Sequence, residues 1–219
     1  MSKTGITFID AFSFINVFIP LLPVVFIFIQ KKYSEEAFIF LLLLCVVNFA
    51  ENIFLSVPQL TNSSQNTIQN IFSVIELIII LQICRIAMNG KLKESINIFL
   101  IIFLTAIITF YSVKEISQKR IIAEIIQNII IIVVIVIILF DLIENSSLGI
   151  FNDPVFWIGA GTLFYFLIAL IANIVGTGSD ALKDRIIILN IATFIRYFFY
   201  ALAVLFYTRN KKSESSTSY

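Results

Sequence analysis

Residues 125–140 read IIQNIIIIVVIVIILF, a stretch that contains no charged side chain. It lies within an apolar run over 120–143, which is longer than the roughly 20 residues that an α-helix needs to cross a bilayer. Six similar runs flank it, separated by short polar segments. The seven runs cover 6–30, 37–60, 67–88, 95–113, 120–143, 154–175 and 185–207. Because helices pair their backbone groups internally in lipid, the pattern predicts an all-α, polytopic membrane protein: a seven-transmembrane-helix bundle over 1–208 and a disordered polar tail over 209–219.

The composition points away from soluble proteins and from several kinds of chemistry. Of the 219 residues, 59% are hydrophobic and 13% charged, against about 45–50% and about 25% in soluble domains. A net charge of +1 provides no electrostatic basis for binding nucleic acid. The chain has no histidine, which removes histidine-based catalysis, metal ligation and haem ligation. No catalytic motif is present, so we expect neither an enzyme nor a cofactor.

The basic residues of the loops predict an orientation. One side of the predicted bundle carries Lys31, Lys32, Lys91, Lys93, Arg209, Lys211 and Lys212, and the other carries Lys3, Lys114, Lys119, Arg120, Lys183 and Arg185. Because basic loops are retained in the cytoplasm, this small excess predicts an outside N-terminus and a cytoplasmic C-terminus in a bacterial inner membrane. The first run is too long for a signal peptide, and we interpret it as a retained helix.

Polar side chains interrupt four of the runs. They are Asn48, Glu51 and Asn52 in the second run, Ser73 and Glu76 in the third, Glu124, Gln127 and Asn128 in the fifth, and Asn190 and Arg196 in the seventh. Spacings of three and four residues place the sets of the second, third and fifth runs each on one helix face. At about 1.5 Å per residue, the deepest lie roughly 9–16 Å from the same membrane surface. The sequence therefore predicts a polar core in one half of the bilayer.

Arg196 is the one cation that lies deep within an apolar run. Ionisable groups in a membrane need partners or a water-filled cavity, so we predict that Arg196 pairs with Glu51, Glu76 or both. Two carboxylates facing one guanidinium leave a net negative charge or a shared proton, which suits a cationic or proton-linked ligand. A purely structural network that fixes helix register is the alternative.

The sixth run begins with DPVFWIGAGTLFYF over 153–166. Asp153 is a predicted N-cap, and Pro154 stands where proline is favoured at a helix start. Trp157 is a predicted interfacial anchor. Small residues recur on one face and permit close helix packing, and Tyr165 shares that face, where its hydroxyl would point into the bundle. In the first run, Pro20 and Pro23 predict a kink.

Scattered residues give the chain a resemblance to small seven-helix membrane proteins of Bacteroidota. The matching positions are Glu51, Ile75, Glu76, Glu124, Pro154, Phe156, Trp157, Gly161, Tyr165 and Phe166, and the stretch in the sixth run is the most specific. These proteins are often encoded beside sensor kinases or response regulators. The resemblance therefore implies a seven-helix fold and a role in membrane sensing by association.

Three functions fit these observations. The first is a receptor-like sensor that binds a small molecule or lipid in the polar core; its short loops and tail would require a signalling partner protein. The second is a transporter or channel for a small solute or ion, although the sequence shows neither an internal repeat nor a broken helix pair. The third is a structural subunit of a membrane assembly.

Overall fold

The computed structural model describes residues 14–56, 62–87, 117–145, 149–175 and 181–207, with side chains at 14–56, 67–86, 125–144, 149–173 and 185–207. Every regular element within these ranges is a helix. The predicted all-α fold is therefore confirmed for them. The fourth predicted helix over 95–113 and the polar tail over 209–219 lie outside the described residues.

Six α-helices have described bounds. They are α1 (Leu21–Ile29), α2 (Glu36–Leu55), α3 (Asn62–Ala87), α4 (Ser117–Asn145), α5 (Pro154–Val175) and α6 (Ala181–Phe206). Residues 14–18 are also helical, and a 3₁₀ turn, Ile150–Asn152, precedes α5. Five of the helices are long and apolar enough to cross a membrane; their spans are Glu36–Leu55, Thr67–Ile86, Ile125–Glu144, Pro154–Asn173 and Arg185–Phe206. The chain is a helical membrane protein.

Three predicted helix boundaries, one end and two starts, differ from the observed ones by four residues or more. The helix of the second run ends at Leu55 rather than at residue 60. Ser56 caps this end, because its hydroxyl donates to the carbonyl of Asn52 at 2.6 Å, and Pro58 follows two residues later. The third helix begins five residues before the predicted start, at Asn62, and the last begins at Ala181 rather than at residue 185. At these two starts, polar residues extend the helix beyond the apolar stretch, and the length of the apolar stretch alone does not reveal this extension.

The first apolar run is interrupted at its first proline. Its helical residues 14–18 end in a turn at 19–20, and α1 follows. Pro20 has no N–H to donate, and the next residue but one, Leu22, bonds instead to the carbonyl of Ile19 at 3.0 Å. The predicted kink therefore takes the form of a break between two helical pieces.

The helices pack in a ring. Each contacts the next along the described chain, and α1 also packs against α6. The α5–α6 contact is the most extensive, whereas α4 contacts α3 only sparsely. The apolar core fills the half of the bundle where α3, α4 and α6 end, with Leu41, Ile83, Ile138 and Val204 among its buried side chains. The sparse α3–α4 contact leaves space near the opposite end.

The start of α5 is held by a cap and an aromatic cluster. The Asp153 carboxylate accepts a hydrogen bond from the backbone N–H of Val155 at 2.8 Å, which confirms the predicted cap. Burial raises the pKa of Asp153, and backbone hydrogen bonds partly oppose this. The Trp157 indole donates to the carbonyl of Phe151 at 2.8 Å and stacks on Phe206 of α6, with ring centroids 5.4 Å apart.

Lys32 ties the loop between α1 and α2 to the end of α6. Its ammonium donates to the carbonyls of Val204 at 2.5 Å and Tyr207 at 2.7 Å. These are the carbonyls that a helix C-terminus leaves without intrahelical partners. Burial lowers the pKa of Lys32, and the nearby Glu35 raises it.

We expect Lys32→Met to lower the free energy of unfolding by about 1.5–3 kcal/mol, since hydrogen bonds from a charged donor contribute about that much. Lys31→Met is the matched control, because the neighbouring Lys31 is exposed. Denaturant unfolding of both variants in detergent micelles measures the difference. Equal stability of the two would contradict the capping role.

Candidate functional site

The predicted ion pair forms between α3 and α6. Arg196 Nη2 lies 2.5 Å from Glu76 Oε1, and Arg196 is only 3% exposed. Asn48 of α2 donates from its amide to the same oxygen at 3.4 Å. The prediction that Arg196 pairs with a deep carboxylate is therefore confirmed for Glu76, and three helices meet at one carboxylate oxygen.

A hydrogen-bond chain continues from Arg196 into α5. Its Nε donates to the Tyr200 hydroxyl at 2.7 Å, and the Tyr200 and Thr162 hydroxyls are 2.8 Å apart. Thr162 also donates to the Ile158 carbonyl at 2.7 Å. Because a carbonyl only accepts, the Thr162 hydrogen is used there, and Tyr200 must donate to Thr162. The chain has one direction, from the guanidinium to the α5 backbone.

Aromatic faces surround the guanidinium. The Arg196 Cζ atom lies 4.8 Å from the ring centroid of Tyr165, 5.3 Å from that of Tyr200 and 5.8 Å from those of Phe166 and Tyr197. Cation–π attraction strengthens when the cation is removed from water. The Tyr165 ring lies beside the buried arginine, and the predicted direction of its hydroxyl stays a prediction.

A cavity of about 320 Å³ lies above this ion pair, toward the bundle end where α3, α4 and α6 begin. Five helices contribute to its wall. The lining residues are Glu51, Gln69, Asn70, Ser73, Glu76, Gln127, Asn128, Tyr165, Phe166, Ala169, Asn173, Arg185 and Leu189. Its volume falls at the lower end of the range of small-molecule sites. The predicted polar core in one half of the bundle is therefore built around a cavity.

Several polar groups in the wall have no protein partner within the described ranges. Gln127 and Asn128 of α4 are each only 7% exposed, and neither side chain hydrogen-bonds to a described residue. Glu51 makes no ion pair there either, and the second carboxylate oxygen of Glu76 accepts no bond. Buried polar groups are normally hydrogen-bonded, so these side chains present unused hydrogen-bonding capacity to the cavity.

No protein-family model matches the chain, and the comparisons with curated proteins and with solved structures found no match. What the site can bind must therefore follow from its own residues. Within the described residues, no three His, Cys, Asp or Glu side chains lie close enough together to hold a metal ion. Cys45 and Cys84 are buried, free thiols.

The other predicted residues lie beside the cavity rather than in its wall. Asn52 donates to the carbonyl of Asn16 at 3.4 Å, and Asn16 donates to the carbonyl of Asn190 at 3.1 Å. This link joins the first helical segment, α2 and α6. Asn52 and Asn190, predicted as ligand-binding or polar-core residues, therefore do not line the cavity, and the side chain of Glu124 lies outside the described residues.

Sequence reasoning missed residues that contribute to the site from unexpected positions. Arg185, interpreted as a loop residue, lines the cavity and donates to Asn173 of α5. Asn16 is a polar residue within the first apolar run that has no charged or amide side chain three or four residues away to mark a site. Thr162 and Tyr200 resemble ordinary core residues, yet Tyr200 follows Arg196 by four positions. That helical spacing was the one available signal for Tyr200.

Proposed function

We propose that this protein is a receptor-like membrane protein whose cavity binds a small polar molecule and whose response passes to a partner protein. The observation that carries the proposal is the pair of buried amides, Gln127 and Asn128, which line the cavity together with Glu51, a carboxylate that forms no ion pair with any described residue. A structural network would use these groups to join helices. Here they face a space large enough for a ligand.

The shape of the polar region favours a one-sided pocket over a transport path. Below the cavity lie the Arg196–Glu76 pair and then the buried Leu44, Ile80 and Ile135 of the apolar core. An ion crossing this core would lose its polar partners at a cost of several kcal/mol. The described residues thus support binding from one end of the bundle.

A ligand in the cavity would bias the contacts of Arg196. Glu76 borders the cavity and at the same time holds Arg196, which in turn bonds to Tyr200. A ligand that draws Glu76 or Glu51 toward itself would change the pairing of Arg196 and so the packing of α6 against α5. Differential binding of this kind is what a receptor requires.

The proposal includes the membrane topology. Seven spanning helices, an outside N-terminus and a cytoplasmic C-terminus would open the cavity toward the outer face of a bacterial inner membrane. The likeness to proteins encoded beside sensor kinases favours a signalling protein as the partner.

Cysteine accessibility tests the pocket and its orientation together. We expect Ser73→Cys to react with the impermeant cation trimethylammonium-ethyl methanethiosulfonate in spheroplasts but not in inverted vesicles, because Ser73 lines the cavity. Ile71→Cys is the matched control from the same helix, since Ile71 is 54% exposed on the outer surface of the bundle. It should react at least about tenfold more slowly, as a thiol in lipid forms little thiolate.

The wild type, with both cysteines buried, sets the background of this assay. Reaction of Ser73→Cys from both sides would indicate a transport path instead. Reaction from neither side would indicate a sealed structural network. Reaction only in inverted vesicles would retain a one-sided pocket and reverse the proposed orientation.

A further inference from the structure

We infer that the cavity takes a small primary amine with an apolar body, bound through its ammonium group. This inference rests on the proposed function and specifies the ligand of the same site. Two features carry it: two carboxylates, one of them paired with an arginine of α6, among hydrogen-bonding side chains on the α2–α3–α4 side, and an apolar patch within the α5–α6 side of the wall.

Among the described residues, the deep end of the cavity has one more carboxylate than it has cations. Glu51 and Glu76 both line it, and Arg196 lies 2.5 Å from Glu76 alone. The other cation of the wall, Arg185, lies roughly 16 Å along α6 from Arg196, where it donates to Asn173. A positive ligand beside Glu51 would therefore balance the charge locally.

The wall beside Glu51 offers several hydrogen-bond acceptors, and its amide and hydroxyl groups can donate as well. The second oxygen of Glu76, the Ser73 hydroxyl and the amide oxygens of Gln127 and Asn128 belong to the same wall. Both amides are more than nine-tenths buried and have no partner in the described part of the chain. A primary ammonium has three N–H donors, which matches this set. Charge-assisted hydrogen bonds of this kind are among the strongest in proteins.

The α5–α6 side of the wall contains an apolar patch as well as polar residues. Phe166 and Ala169 of α5 and Leu189 of α6 line the cavity there, with Phe166 5% and Ala169 8% exposed. A hydrocarbon or aryl group would bury its surface against them. A cavity of about 320 Å³ holds roughly ten water-sized groups at about 30 Å³ each, which limits the ligand to about that number of heavy atoms.

Other ligand classes fit less well. A carboxylate or phosphate would stand beside Glu51 with like charge. An alcohol would leave that charge without a counterion. A quaternary ammonium has no N–H to donate to the buried amides. A bare metal ion would leave the apolar patch unused and is far smaller than the cavity.

A matched series of ligands tests the inference. The full chain is purified into nanodiscs of phosphatidylcholine and phosphatidylglycerol, and its melting temperature is measured with hexylamine, hexanol, hexanoate or hexyltrimethylammonium. We expect hexylamine alone to raise the melting temperature, by at least about 2 °C. Glu51→Gln should weaken the apparent affinity for hexylamine at least about tenfold, while Glu36→Gln, an exposed carboxylate on the same helix, should leave it unchanged.

A second variant and a second lipid mixture complete the test. Ala169→Leu narrows the cavity at its apolar patch without changing its charge, so it should weaken the binding of hexylamine more than the binding of ethylamine. The ammonium group has two sources, a soluble amine or the headgroup of phosphatidylethanolamine. Replacing phosphatidylcholine by phosphatidylethanolamine distinguishes them, since a headgroup ligand would raise the melting temperature of the wild type, but not of Glu51→Gln, without added amine.

The inference is overturned if neither hexylamine nor phosphatidylethanolamine stabilises the protein, if hexanol or hexyltrimethylammonium does so equally, or if Glu51→Gln binds hexylamine as the wild type does. Each of these results leaves the proposed function in place when Ser73→Cys still reacts from one side only. Failure of the labelling itself removes the proposed function, whichever compound binds.

Discussion

Arg196→Leu is expected to lower the free energy of unfolding by about 3–5 kcal/mol, the typical cost of leaving one partner of a buried ion pair unpaired. The substitution leaves Glu76 within the membrane-spanning bundle without its 2.5 Å partner. It also removes the donor to the Tyr200 hydroxyl and the cation inside four aromatic faces. Unfolding in mixed micelles is followed by the fluorescence of Trp157, the one tryptophan of the chain.

A double variant distinguishes the stability lost with the ion pair from the stability lost with the packing of the arginine side chain. When Arg196→Leu is combined with Glu76→Gln, the carboxylate that lost its partner is neutralised as well, so most of the lost stability should return. Arg85→Leu is the control for removing an arginine from the opposite end of the bundle. Arg85 donates to Gln82 at 3.2 Å, and Arg85→Leu should lower the free energy of unfolding by at most about 1 kcal/mol. A double variant no more stable than Arg196→Leu would assign the effect to packing.

Gly161→Ala is expected to destabilise the protein by about 1–3 kcal/mol, as overpacking of a close contact does. A Cβ atom at Gly161 would lie 2.6 Å from Phe199 Cβ and 3.0 Å from the carbonyl oxygen of Arg196. Neither is the end of a flexible side chain, so α5 and α6 must separate. Because Arg196 would move with α6, its pairing with Glu76 should weaken as well.

Gly159→Ala is the matched control on the same helix. Its Cβ would meet Leu139 Cδ2 at 3.1 Å, a side-chain end that can rotate, so we expect a cost below about 1 kcal/mol. Phe199→Ala should not rescue Gly161→Ala, because alanine keeps the Cβ that makes the clash. Unfolding in the same micelles compares the variants. Equal stability of Gly161→Ala and Gly159→Ala would show that the helices adjust without cost.

The predictable part of the fold came from apolar length and from short-range caps. The helix at Pro154–Val175 has the predicted bounds, because a capping Asp153 and a proline at the first position define its start locally. The end of the second helix and the starts of the third and the last were misplaced. At the two starts, polar residues give no hydropathy signal although the backbone there is helical; the second helix instead stops five residues before its apolar run does.

The candidate site was predictable where a charged residue interrupts an apolar run. Glu51, Glu76 and Arg196 stand out for that reason, since a charge in a membrane span requires compensation. Arg185 did not, because it lies at a predicted helix end, where polar residues are ordinary. Asn52 and Asn190 belong to the predicted polar set but lie beside Asn16, a neighbour that hydropathy cannot assign.

The sequence by itself determined that the chain is a helical membrane protein and that its polar groups share one half of the bundle. Both follow from local periodicity and from the cost of burying charge, which act within one helix at a time. Only the tertiary structure decided that Arg196 holds Glu76 rather than Glu51, and that Gln127 and Asn128 face a cavity. Those choices depend on how closely neighbouring helices approach, above all at Gly161, where α5 meets α6, and across the sparse α3–α4 contact.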